Sequence, residues 1–98
     1  MVQAYMVEFD LPDSLTDEIM SVIPRHREHI DRLLTEGIIQ NYSLAIDRSK
    51  LWVVIVANSE EEVGEIIADF PLIDYMVPKI HTLMFSNSHS DIPMINLN

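Results

Sequence analysis

Apolar and polar side chains alternate from Gln3 to Asp10, with Tyr5, Val7 and Phe9 on one side and Ala4, Met6 and Glu8 on the other. A period of two predicts a β-strand, and Leu11-Pro12-Asp13 ends it. From Ser14 to Glu36 the period lengthens to that of a helix. Asp13 or Ser14 is placed to cap it, Asp17 and Glu18 put negative charge where the helix dipole favours it, and Gly37 stops it. Pro24 has no N–H to donate, which predicts either a kink or a short helix followed by a longer one beginning near Pro24.

Ile38 to Asp47 and Leu51 to Ala57 read as strands joined by the polar turn Asp47-Arg48-Ser49-Lys50, which makes a hairpin. In Ser59-Glu60-Glu61-Glu62 the Ser59 oxygen can accept from the Glu62 N–H while the Glu62 side chain returns to Ser59, opening a second helix. Val63, Ile66, Ile67 and Phe70 then form its apolar stripe, and Pro71 stops it. A last strand is expected from about Met76 to Phe85, with Pro78 near its start or on a sheet edge. Residues 1–86 thus form one domain and residues 87–98 a tail, whose apolar segment Ile92 to Leu97 could pack on a neighbouring subunit.

The order β-α-β-β-α-β predicts an α+β, ferredoxin-like fold: a four-stranded antiparallel sheet with two helices on one face. Leu51-Trp52-Val53-Val54-Ile55-Val56-Ala57 is apolar on both faces, whereas the helices can cover only one. A second copy of the sheet packed face to face is the simplest cover, so a homodimer or higher homo-oligomer is expected.

Charge and composition narrow the function. The 98 residues include 16 acidic and 6 basic side chains, a formal charge of −10, and no cysteine. Such a chain repels phosphate backbones and anionic lipid, so neither nucleic acid nor a membrane is expected as a partner. Without cysteine there are no thiolate metal sites, disulfides or cysteine nucleophiles. No apolar run approaches the roughly 20 residues that span a bilayer, and no signal segment is evident, which suggests a cytoplasmic protein. Gly37 and Gly64 stand alone, so no nucleotide-binding glycine loop is present.

Candidate chemistry gathers in Arg25-His26-Arg27-Glu28-His29. At about 100° per residue, His26 falls within the stripe of Ile30, Leu33 and Leu34 and points toward the sheet, His29 lies at the stripe's border, and Arg25 and Arg27 flank His26. An imidazole in a partly dry pocket has a lowered pKa and is neutral near pH 7, a competent general base. A buried His that merely hydrogen-bonds a neighbour is the competing reading. The i, i+3 pair His26/His29 could share a metal, but no third ligand accompanies it, and no metal is expected. Tyr42 can join a pocket as a hydrogen-bond partner, while Arg48 and Lys50 in the hairpin turn read as solvated turn charges in preference to an anion clamp.

Ser59-Glu60-Glu61-Glu62-Val63, followed by Phe70-Pro71-Leu72-Ile73-Asp74-Tyr75-Met76, resembles the muconolactone Δ-isomerase family, and Pro71-Leu72-x-x-Tyr75-Met76 is the most specific part. The resemblance implies a dimeric α+β barrel that moves a proton within an unsaturated lactone, a small-molecule ligand, without any cofactor. It also implies an acidic base on the first helix, and counting back from Gly37 the matching position is His26, a departure from the family pattern. The candidate catalytic residues are then His26, Tyr42 and His29, with Arg25, Arg27, Trp52, Tyr75 and His81 as candidate substrate-binding residues. The alternative is a non-catalytic oligomeric protein that binds a small molecule on the same scaffold.

Overall fold

Alternation places Tyr5, Val7 and Phe9 on the buried side of the first strand, β1 (Gln3–Asp10), in a computed structural model that describes residues 2–87. The tail beyond residue 87, with its apolar segment, lies outside the described residues. The other elements are α1 (Asp17–Thr35), β2 (Ile39–Leu44), β3 (Lys50–Ala57), α2 (Glu60–Ala68), a 3₁₀ turn (Ile73–Tyr75) and β4 (Val77–Thr82). All neighbouring strands are antiparallel in the order β2-β3-β1-β4, the expected ferredoxin-like arrangement.

Several boundaries differ from expectation for identifiable reasons. Helix α1 starts later than Ser14 because Thr16 is its cap, the Thr16 hydroxyl accepting from the Ile19 N–H at 3.2 Å. Pro24 neither divides nor ends α1, which runs on as one helix. A single missing hydrogen bond is offset by the stripe of Ile19, His26, Ile30 and Leu33 that the helix buries. At its far end Gly37 adopts φ +78°, its N–H reaching the Leu34 carbonyl at 3.1 Å and the Ile38 N–H the Leu33 carbonyl at 3.0 Å. That paired closure needs a left-handed residue, hence glycine. At α2, Ser59 caps the Glu62 N–H at 3.1 Å as expected, but the Glu62 carboxylate accepts from the Asn58 N–H at 2.9 Å instead of Ser59.

Strand β2 is shorter than the apolar pattern suggested and is interrupted by an irregularity between Ile39 and Asn41. The extra residue shifts the alternation, so Ile39 opposite Ile55 and Tyr42 opposite Val53 share the helix-facing side. Gln40 is left exposed, its side-chain amide donating to the Gly37 carbonyl at 2.8 Å.

The core lies between this face and the helices: Val7, Phe9, Val53, Ile55, Val63 and Phe70 are almost wholly buried. Phe70, just past α2, packs on Phe9 with ring centres 5.9 Å apart and holds the end of α2 against β1. The opposite face carries Met6, Trp52, Val54 and Val56, bordered by an ionic group in which Lys50 meets Glu8 at 3.0 Å and Asp10 at 2.5 Å. No helix among the described residues is long and apolar enough to cross a membrane.

Phe70→Ala should cost about 3–5 kcal/mol, because the ring fills a closed site between the sheet and α1. Urea unfolding would measure it, and a loss below about 1 kcal/mol would show that the site collapses around the truncated side chain.

Candidate functional site

Helix α1 and the bulged strand β2 bring two polar groups together in an otherwise apolar setting. His26 points inward from α1 and is only 3% exposed. Tyr42, re-aimed by the irregularity in β2, meets it, with the hydroxyl 2.9 Å from His26 Nε2. Phe70 approaches the His26 ring edge-on at 5.8 Å and the His29 ring at 6.0 Å. Among the described residues neither His26 Nδ1 nor His29 Nε2, both buried, has a hydrogen-bond partner.

Burial decides the protonation of both members of the pair. Desolvation, with a smaller contribution from neighbouring His29, lowers the His26 pKa from 6.5 to about 4, so the ring is neutral at physiological pH. Desolvation also raises the Tyr42 hydroxyl to about 12, although the positive charge of Arg27 opposes the shift. A neutral imidazole and a neutral phenol therefore face each other and share one hydrogen bond. His29 differs: Arg32 Nη2 lies 2.9 Å from its Nδ1, and because arginine only donates, the His29 proton belongs on Nε2.

His26 and Tyr42 line a cleft of about 860 Å³ between α1 and the sheet, within the range of small-molecule sites. Its walls are largely apolar, with Leu11, Ile19, Ile23, Ile30, Leu51 and Met76 among them. Arg27 and Asp31 from α1, Asp13 from the first loop, and Asp47 and Arg48 from the β2–β3 turn supply charge. Tyr75 closes one side, its hydroxyl donating to the Glu18 carboxylate and tying the 3₁₀ turn to the first turn of α1. This hydrogen bond also raises the Tyr75 pKa.

Of the residues singled out from the sequence, the cleft gathers His26, Tyr42, Arg27 and Tyr75. His29 stands beside His26 behind the lining, and Arg25 is exposed outside it. Trp52 and His81 occupy the opposite face of the sheet: Trp52 pairs with Glu8, His81 pairs with Met6, and His81 Nε2 lies 3.8 Å from Glu8. Strand parity alone separates them from the single-chain cleft. Arg48, expected to be a solvated turn charge, lines the cleft instead. Its position depends on a hairpin longer than the strand pattern suggested. Among the described residues no three His, Cys, Asp or Glu side chains cluster closely enough to hold a metal ion.

The burial of His26 should be visible in stability. Between pH 6.5 and about 4 the unfolded chain takes up a proton that the native ring refuses, so this residue makes the fold lose stability as pH falls through that window. Relative to wild type, His26→Gln should gain stability progressively from about pH 6.5 to about pH 4, with a constant difference at higher pH. Urea unfolding across that range checks it, and a pH-independent difference would contradict the lowered pKa.

The sequence model of the muconolactone delta-isomerase family matches residues 3–89, which is nearly the whole domain, and the chain belongs to that family. No curated protein matches it.

Proposed function

We propose that this member of the muconolactone delta-isomerase family catalyses cofactor-independent proton transfer, shifting a C=C bond in a small unsaturated lactone or related carbonyl compound. The observation that carries the reading is the His26–Tyr42 pair: a neutral imidazole and a neutral phenol 2.9 Å apart, lining an apolar cleft.

The chemistry follows from what each group can give. A substrate carbonyl oxygen entering the cleft takes the Tyr42 hydrogen bond, which leaves the His26 Nε2 lone pair free to receive a proton. The allylic C–H bond at the far end of the conjugated C=C breaks as the N–H bond forms, and the electron pair spreads over the C=C and the carbonyl as a dienolate. Tyr42 donates to the oxygen on which the charge develops. The imidazolium then returns its proton to the dienolate carbon next to the carbonyl, which moves the double bond and restores the neutral ring.

A pKa of about 4 makes His26 a weak base in the empty cleft. An enolate beside it in the same dry site favours the imidazolium, so the driving force arises as the negative charge forms. The same depressed value makes the imidazolium a ready acid for the return step. His26 thus fills the place at which the family resemblance implies an acidic base, and it does so with a charge that changes from zero to positive. Arg27 lines the cleft beside this pair and supplies positive charge toward the enolate.

The uncovered face of the sheet supports assembly. Trp52 and Val56 are half-buried there on either side of the buried Val54, an apolar strip that a second copy would cover face to face. On this reading the chain is a homodimer or a multiple of one, and Trp52 and His81 serve the subunit contact.

In deuterated water, muconolactone or a related unsaturated lactone should acquire solvent deuterium at the allylic carbon. His26→Gln should slow this by about 10²–10⁴-fold, with kcat/KM of the wild type flat from about pH 9 down to about pH 5. The absence of exchange with every lactone tried would leave the non-catalytic binding protein as the reading, and full exchange by His26→Gln would reject the base. Sedimentation should give a dimer or a multiple of it and, for Trp52→Lys, a smaller species; a wild-type monomer at micromolar concentration would contradict the assembly.

A further inference from the structure

We propose that Arg48 is a specificity-determining residue of the cleft, a guanidinium held at its hairpin end to pair with the carboxylate of an anionic ligand. The proposal rests on the reading of the cleft as a lactone site.

Arg48 has φ +62° and is the one non-glycine residue in the left-handed region among those described. The turn imposes this conformation: the Arg48 N–H donates to the Ala45 carbonyl at 2.9 Å and the Ala45 N–H to the Lys50 carbonyl at 2.9 Å. A residue at this point of such a hairpin is left-handed, which glycine or asparagine accommodates easily and a long side chain does not. Arginine is thus the costlier choice for the fold, and it stands among the residues that line the cleft. Strain of this kind held beside a binding site is a reason to look for a role there.

Among the described residues the guanidiniums of Arg48 and Arg27 make no ion pair, although three aspartates line the same cleft. The nearest in sequence, Asp47, is occupied within its own turn, where one carboxylate oxygen accepts from the Ser49 N–H at 2.9 Å and the Ser49 hydroxyl at 2.7 Å. In a chain of net charge −10, two cations left without partners around one cleft are available to an anion from outside. Asp13 and Asp31 line the cleft as well, so a ligand carboxylate is welcomed only where the guanidiniums stand, which gives the ligand one orientation.

Two ligand pairs test the proposal: muconolactone against its methyl ester, and phenylacetate against phenylacetamide, which carries no lactone. Wild type should bind the carboxylate member of at least one pair about tenfold more tightly than the neutral one. Arg48→Gly should abolish that preference, leave neutral-ligand affinity unchanged and raise Tm by about 2–5 °C as the strained position relaxes, whereas Arg48→Lys should keep part of the preference. A preference that survives Arg48→Gly, an equal loss for charged and neutral ligands, or no binding in either pair overturns the proposal. If phenylacetate obeys the expectation and no lactone binds, the carboxylate site stands and the lactone reading falls.

Discussion

The His26 imidazole lies inside the fold against Phe70, with the Tyr42 hydroxyl as its hydrogen-bond partner, and desolvation there keeps it neutral down to about pH 4. Phe70 packs on Phe9 and carries the end of α2 against β1, and both histidine rings abut it. The aromatic contact that closes the core therefore also dries the imidazole. Tyr42 reaches it because β2 carries one residue more than a regular strand would, so a backbone irregularity and a core contact together set the state of one proton.

Stability and chemistry pull in opposite directions at this site. A leucine at position 26 would fill the space without a buried ring nitrogen that lacks a partner, whereas His26 Nδ1 has none among the described residues. Arg48 repeats the pattern in the backbone, holding a left-handed conformation that a glycine would hold more cheaply. Both exceptions line the same cleft, which is where departures from the most stable choice are expected in a functional protein.

Much of this was legible in the sequence, because it rests on local periodicity. Alternation in Gln3–Asp10, the stripe of α1 and the Ser59 cap of α2 are short-range signals, and helical spacing alone pointed His26 inward. The Pro71 to Met76 motif indicated the family whose sequence model matches the domain. What escaped depends on three-dimensional registration. The bulge that aims Tyr42 leaves no mark in an alternation pattern, so strict alternation along β2 would put Gln40, not Ile39, on the side of Tyr42. Which face of β4 meets the helices is fixed by pairing with β1, and this sends His81 away from the cleft. The asymmetry between Arg25 and Arg27, equidistant from His26 on a helical wheel, arises because only the Arg27 side borders the cleft. Arg48 was hidden by the length of its hairpin, although a non-glycine residue in a tight turn was itself a clue.

Burial keeps His26 neutral, and its Nε2 joins it to Tyr42. Titrating the imidazole nitrogens by NMR, with Tyr42→Phe as the control that identifies the bonded nitrogen, tests this most directly. The ring should titrate near pH 4, with the Nε2 resonance shifted in Tyr42→Phe. A His26 that titrates near 6.5, or an Nε2 signal indifferent to loss of the Tyr42 hydroxyl, would contradict it.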